Sequence, residues 1–193
     1  LMWWLMMIAM MVPSAAPTLL LFHSLKKLGS EAQRALGQTY LFLLGYLSTW
    51  AFFSVVACLL QAQLEANNLA SPMMMQSTST YLSGALLLMA GIYQFTTLKN
   101  VCLDKCRSPA EFLAENNRKG AFGAFIMGFR HGTFCLGCCW ALMALLFVGG
   151  VMNLYWIIGI ALYVAIEKLL PQISWLDKAL GVLLIGAGIL LVV

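Results

Sequence analysis

Long runs almost free of charge recur along this chain, and they constrain its fold more than any motif does. An α-helix needs about 20 predominantly apolar residues to cross the hydrocarbon core of a bilayer. About six stretches reach or approach that length: Leu1–Phe22, Tyr40–Ala62, Thr78–Leu98, Ala121–Val148, Met152–Ile166 and Leu176–Val193. The last two are short, but they lack turn signals and strand alternation, so the helical reading holds. A transmembrane barrel would need short segments of alternating polarity, and none is present. Composition agrees. The chain is 62% hydrophobic and 9% charged, with a mean hydropathy of +0.89, where soluble domains average about 45–50% and about 25%. The expected fold is an all-α polytopic transmembrane helix bundle of about six spans, one domain over residues 1–193. Its first partner is the lipid bilayer. Nucleic acid is not an expected partner, because the net charge of +4 reflects clustered loop residues.

Those basic residues orient the bundle. Lys26, Lys27 and Arg34 follow the first span, and Lys99, Lys105, Arg107, Arg118 and Lys119 follow the third. Lys168 and Lys178 flank the link between the fifth and sixth, whereas the loops after spans two and four hold no lysine or arginine. The positive-inside rule then places loops 23–39, 99–119 and 167–178 in the cytoplasm. Arg130 alone falls outside this pattern. Ser71-Pro72 is read as a helix start, since proline is tolerated at the first helical position, with that helix running through the membrane to about Arg107. In "SPAE" (108–111) Ser108 and Glu111 have the spacing of a capping box, opening a short interfacial helix. The chain opens on Leu1 rather than an initiator methionine, and the expectation is that a native segment precedes it.

The chemistry lies in the thiols. Of six cysteines, Cys102, Cys106, Cys135, Cys138 and Cys139 fall within one short region. Cys102 and Cys106 share a helix face at a spacing of four. His131, Cys135, Cys138 and Cys139 follow the i, i+4, i+7, i+8 pattern of a helical stripe, which Met127 and Met143 extend at either end. Thiolates favour Cu(I) and Zn(II), and imidazole suits both. Thioether sulfur also suits Cu(I), and the chain has 12 methionines. Copper is therefore the expected metal, with zinc the alternative. One helix cannot surround an ion, so Cys102 and Cys106 are the expected opposing ligands. His131 lies about 17 Å into span four at 1.5 Å per residue. The two groups meet only if the glycine-rich stretch at 120–132 breaks or tilts, or if its glycines allow close helix contact. Arg130 is expected to face the interior, paired with Glu167 or holding thiolates charged, against a reading in which it snorkels to the interface.

Other residues carry weaker readings. Cys58 is read as core filler. Met2, Met6 and Met10 recur at a spacing of four beside Met7 and Met11, and Met73–Met75 open span three. These suit a soft-metal lane, though gap-filling is the stronger reading. Pro13 and Pro17 are expected to kink the first span. Tyr46, Trp50, Trp156 and Tyr163 read as packing and membrane anchors, His23 as solvated, and Gln94, Thr96 and Thr97 as interface residues. "CLGC" (135–138) also has the C-x-x-C spacing of dithiol oxidoreductases, although a reducing cytoplasm does not favour stable disulfides.

The strings "MMVPS" (10–14), "GIYQFTTLKNVCLDKCRSP" (91–109), "GFRHGTFCLGCCWALMALLFVGGVMNLYW" (128–156) and "EKLLP" (167–171) resemble a bacterial family of predicted metal-binding integral membrane proteins, a domain of unknown function. The resemblance implies a bacterial inner-membrane location and Cys102, Cys106, His131, Cys135, Cys138 and Cys139 as metal-site residues. It brings no substrate or reaction. The expected function is soft-metal handling or delivery to a membrane enzyme, without catalysis of its own. A thiol–disulfide oxidoreductase and an accessory subunit of a larger membrane complex are the alternatives.

Overall fold

The computed structural model describes residues 1–29, 32–67, 79–116, 118, 120–170 and 175–192, and among these it contains helices and no strand. The expectations for Ser71-Pro72, Met73–Met75 and Lys119 lie outside the described residues. The helices are α1 (Met2–Leu28), α2 (Ala35–Ala66, led in by a 3₁₀ turn at Ala32–Arg34), α3 (Thr80–Tyr93), α4 (Thr97–Arg107), α5 (Pro109–Glu115), α6 (Gly120–Ala144), α7 (Leu146–Gly149), α8 (Leu154–Leu169) and α9 (Trp175–Val192).

Four segments are long and apolar enough to cross a membrane: Met2–Leu28, Ala32–Ala66, Gly120–Gly149 and Trp175–Val192. They are four of the expected spans. The third expected span is broken, because α3 and α4 meet at an angle of 65°. The fifth is α8, whose 16 residues give a length of about 24 Å against a hydrocarbon core of about 30 Å. Large apolar side chains such as Leu20, Phe52, Phe122, Val182 and Leu190 remain exposed, as suits helices whose surroundings are apolar.

The chain divides into two compact units, 1–54 with 101–138 and 55–100 with 139–193. In the first unit the core is aromatic: Phe22, Phe42 and Phe112 pack with Leu113, Ala124 and Met127. Helices α2 and α6 meet backbone to backbone. A Cβ on Gly128 would lie 1.9 Å from the Phe42 carbonyl oxygen, and one on Gly45 would lie 2.1 Å from that of Phe125. Thr49 adds a hydrogen bond of 3.2 Å to the Phe129 carbonyl. Gly128 and Gly132 of the 120–132 stretch thus serve close contact, and α6 runs through the stretch unbroken. Gly120 opens the helix at φ +81°, a conformation that glycine adopts without strain.

Helix α1 continues through Pro13 and Pro17. Just ahead of them the Met11 carbonyl accepts the hydroxyls of Ser14 at 2.9 Å and Tyr46 at 3.2 Å. The face it buries carries Trp3, Met7, Met10, Met11, Ser14, Ala15, Thr18 and Phe22, so Met7 and Met11, not Met2 and Met6, accompany Met10 inside. The capping box at α5 does not form: Ser108 makes no side-chain cap bond. Glu111 instead accepts from Lys105 at 3.3 Å, and Lys105 also donates to Glu115 at 2.7 Å. The ammonium offers these carboxylates a charged partner in place of a backbone amide.

In the second unit α3 packs along α9 through small residues. A Cβ on Gly91 would lie 2.9 Å from the Gly181 carbonyl oxygen, and one on Gly188 3.0 Å from that of Gly84. Ser79 caps α3, accepting from the Leu82 amide at 3.4 Å. Thr96 builds the break into α4: its hydroxyl donates to the Tyr93 carbonyl at 2.7 Å and accepts from the Lys99 amide at 3.4 Å. Asn153 caps α8 through the Trp156 amide, and the Trp156 indole donates to the Leu145 carbonyl at 2.9 Å.

Filling the α2–α6 contact is expected to be costly. Gly128→Ala should lower stability by about 1–3 kcal/mol through overpacking, while Gly159→Ala, whose added Cβ meets nothing within 4 Å, should not. Unfolding of the two variants in detergent micelles checks this.

Candidate metal site

Helix α6 carries most of the expected ligands, and its periodicity turns them inward. His131, Cys135, Cys138 and Cys139 are 3%, 1%, 0% and 0% exposed. In the first unit, Cys135 Sγ lies 3.1 Å from the Tyr46 hydroxyl, and Cys138 donates to the Cys135 carbonyl at 3.1 Å. Tyr46 therefore spans from the Met11 carbonyl to the Cys135 thiol, in a fully buried position. It is more than a packing residue.

Cys102 comes to α6 from α4. A Cβ on Gly137 would lie 2.7 Å from Cys102 Sγ, so the bare backbone at 137 is what admits the sulfur. Cys102 and Cys138 lie close enough to interact electrostatically. Part of the expected juxtaposition is thus present: α4 brings Cys102 to the level of Cys138. Cys106, one turn further along α4, is only half-buried.

His131 enters the aromatic core. Its ring packs at centroid distances of 5.1 Å from Phe112, 5.9 Å from Tyr46 and 6.1 Å from Phe42. Cys135 follows His131 by one turn and Cys138 by about 10 Å along the helix. Among the described residues no three His, Cys, Asp or Glu side chains are arranged to hold a metal ion. The donors are gathered but not closed around a centre. All six cysteines are free thiols.

Several expectations need correction. Arg130 is exposed. It is adjacent to the buried His131, and neighbouring helical positions differ by about 100°, so when 131 turns inward 130 turns out. Glu167, its expected partner, pairs instead with Lys99 inside the second unit. No correction touches Met127 and Met143, which are both buried. Cys58 is exposed rather than core filler; it follows the buried Ala57 on α2, again one helical step away. His23 is half-buried, with Nδ1 3.2 Å from the Thr39 hydroxyl. Gln94 is buried and accepts from Lys99.

A family model described as a copper chaperone, PpoB2, matches residues 1–191. The chain belongs to this copper-chaperone family. No curated protein and no solved structure matches it. The family supports metal binding and copper handling, and the donor chemistry fits: buried thiols are soft ligands that select Cu(I). Membership of PpoB2 says nothing of a membrane, and that part rests on the apolar helices. Two residues beside the thiols escaped the sequence reading. Tyr46 looks like any interfacial tyrosine, and Gly137 in "CLGC" looks like spacer. Glycine between two cysteines on a helix was the available signal, since it removes a side chain where another helix must approach.

Mild oxidation should cross-link Cys102 to Cys138 when the remaining cysteines are replaced by serine. Gly137→Val should cut the yield several-fold by pushing Cys102 away. Mass spectrometry of the cross-linked peptide reads both outcomes.

Proposed function

We propose that the protein is an integral membrane copper chaperone, which holds Cu(I) on the thiols of α4 and α6 and delivers it to a copper-requiring membrane enzyme. The observation that carries this reading is the meeting of Cys102 with the Cys135–Cys138 segment at Gly137, in a chain of the copper-chaperone family. Cys102, Cys135 and Cys138 form the proposed centre, with Cys106, Cys139 and His131 as flanking donors. Copper is favoured over zinc on geometry. A structural zinc site wants four nitrogen or sulfur ligands in a tetrahedron, whereas Cu(I) is satisfied by a pair of thiolates.

Within that site the protein's own groups do simple work. Burial keeps water and oxidants from the thiols, and the Tyr46 hydroxyl holds Cys135 in one orientation. The ion would leave by ligand exchange, each thiolate giving way to a soft donor of the receiving protein. Such a chaperone needs reduced thiols, which a cytoplasm-facing site provides. This agrees with a bacterial inner-membrane location with basic loops 23–39, 99–119 and 167–178 in the cytoplasm. Helices α2, α4 and α6 run through both units, and the chain is taken as one transmembrane domain, with α3–α4 and α8 completing about six membrane passes.

Protein purified anaerobically from copper-supplied cells should carry copper. Cys135→Ser and Cys138→Ser should each lower that load at least several-fold by metal analysis. Retention of the wild-type load by both variants would refute the reading.

A further inference from the structure

The second unit holds a polar cluster that copper binding does not use. Lys99 follows an apolar stretch and is grouped by sequence with the solvated basic residues of a loop, yet it is 0% exposed. Its ammonium donates to the carboxylate of Glu167 and to the side-chain carbonyl of Gln94. Those two residues are 1% and 3% exposed, and Asp177 is 6% exposed. Asp177 lies near enough to Glu167 to act on its charge, and it accepts from the Tyr163 hydroxyl at 3.3 Å. The cluster draws on the end of α3, the first turn of α4, the last turn of α8 and the first turn of α9. The other charged groups on these segments are Lys168, buried and roughly 100° round α8 from Glu167, and Lys178, exposed on α9. Lys99 and Asp177 both act on the charge of Glu167. The segment α7 brings no ionisable residue.

We infer that the Glu167–Asp177 carboxyl pair, anchored by Lys99, is a proton-binding site of this protein. Two buried carboxylates this near resist ionising together beside one ammonium, because like charges disfavour each other there. With one proton on the pair, Lys99 balances the charge that remains. Helix polarity assigns the proton. Glu167 sits at the carbonyl end of α8, whose partial negative charge opposes ionisation there. Burial pushes the Glu167 carboxyl up to about 7, with the Lys99 ammonium pulling the other way. The reaction is a plain equilibrium in which the Glu167 carboxylate takes up one proton from water and returns it as pH rises through neutral. A purely structural role explains the arrangement poorly. Buried ion pairs contribute little net stability over apolar packing of similar volume, and perturbed carboxyls with a specific charge partner gather at functional sites.

Infrared difference spectroscopy of the metal-free full chain in lipid nanodiscs tests this site without involving the thiols. The wild type should show a protonated-carboxyl stretch at mildly acid pH that disappears as pH rises through neutral. Glu167→Gln should abolish that transition. Asp177→Asn, which keeps the Lys99–Glu167 ion pair, should move it to lower pH by removing the like charge. Glu65→Gln, remote from the cluster in sequence, should leave it unchanged. A wild type without the transition, a transition that survives Glu167→Gln, or an unmoved midpoint in Asp177→Asn would each overturn the inference. Far-ultraviolet circular dichroism establishes that each variant is folded, and Asp177→Asn alone decides the matter if Glu167→Gln does not fold.

Discussion

Glycine lets helix α6 meet α2 backbone to backbone and α4 backbone to sulfur in the first unit. Between helices as apolar as these, small residues let the backbones approach closely. Gly45 and Gly128 bring α2 and α6 into contact at the Phe42 and Phe125 carbonyls. Gly132 receives Thr49, and Gly137 receives Cys102. These positions fix the rotation of α6 about its axis. Once that rotation is fixed, His131, Cys135 and Cys138 must face inward and Arg130 must face out.

The same constraint explains why the donors are gathered without being closed. The α2 crossing at Gly128–Gly132 delivers Phe42 and Tyr46 to His131, so the imidazole enters an aromatic environment. The α4 crossing comes later, at Gly137, and delivers a thiol to thiols. Tyr46 connects the two levels, its ring against His131 and its hydroxyl at Cys135. A thiol group that binds copper tightly enough to carry it, yet lets it go, has reason to be short of ligands. The ion can then change partners without unfolding its holder.

Much of this was legible in the residues. Length and apolarity marked α1, α2, α6 and α9, because a spanning helix is written in some twenty consecutive letters. The i, i+4, i+7 stripe put the α6 cysteines on one side because helical periodicity is local. What escaped depends on tertiary partners. Nothing in "QFTT" breaks a helix by propensity; the break at Thr96 rests on a hydroxyl bridging two helices and on Gln94 meeting Lys99. Lys99 itself was indistinguishable from a loop lysine until Glu167 was seen to cover it. Arg130 was misplaced for a related reason: composition says that a charge lies within an apolar helix, but only the packing of that helix says which way it points.

The central claim is that copper is held by the sulfur atoms brought together at Gly137. Copper K-edge X-ray absorption on the Cu(I)-loaded protein in nanodiscs tests it most directly. The expected result is a first coordination shell dominated by sulfur at Cu(I)–thiolate distances, disrupted by Cys102→Ser. A shell dominated by nitrogen or oxygen, or a sulfur shell indifferent to Cys102, would contradict it.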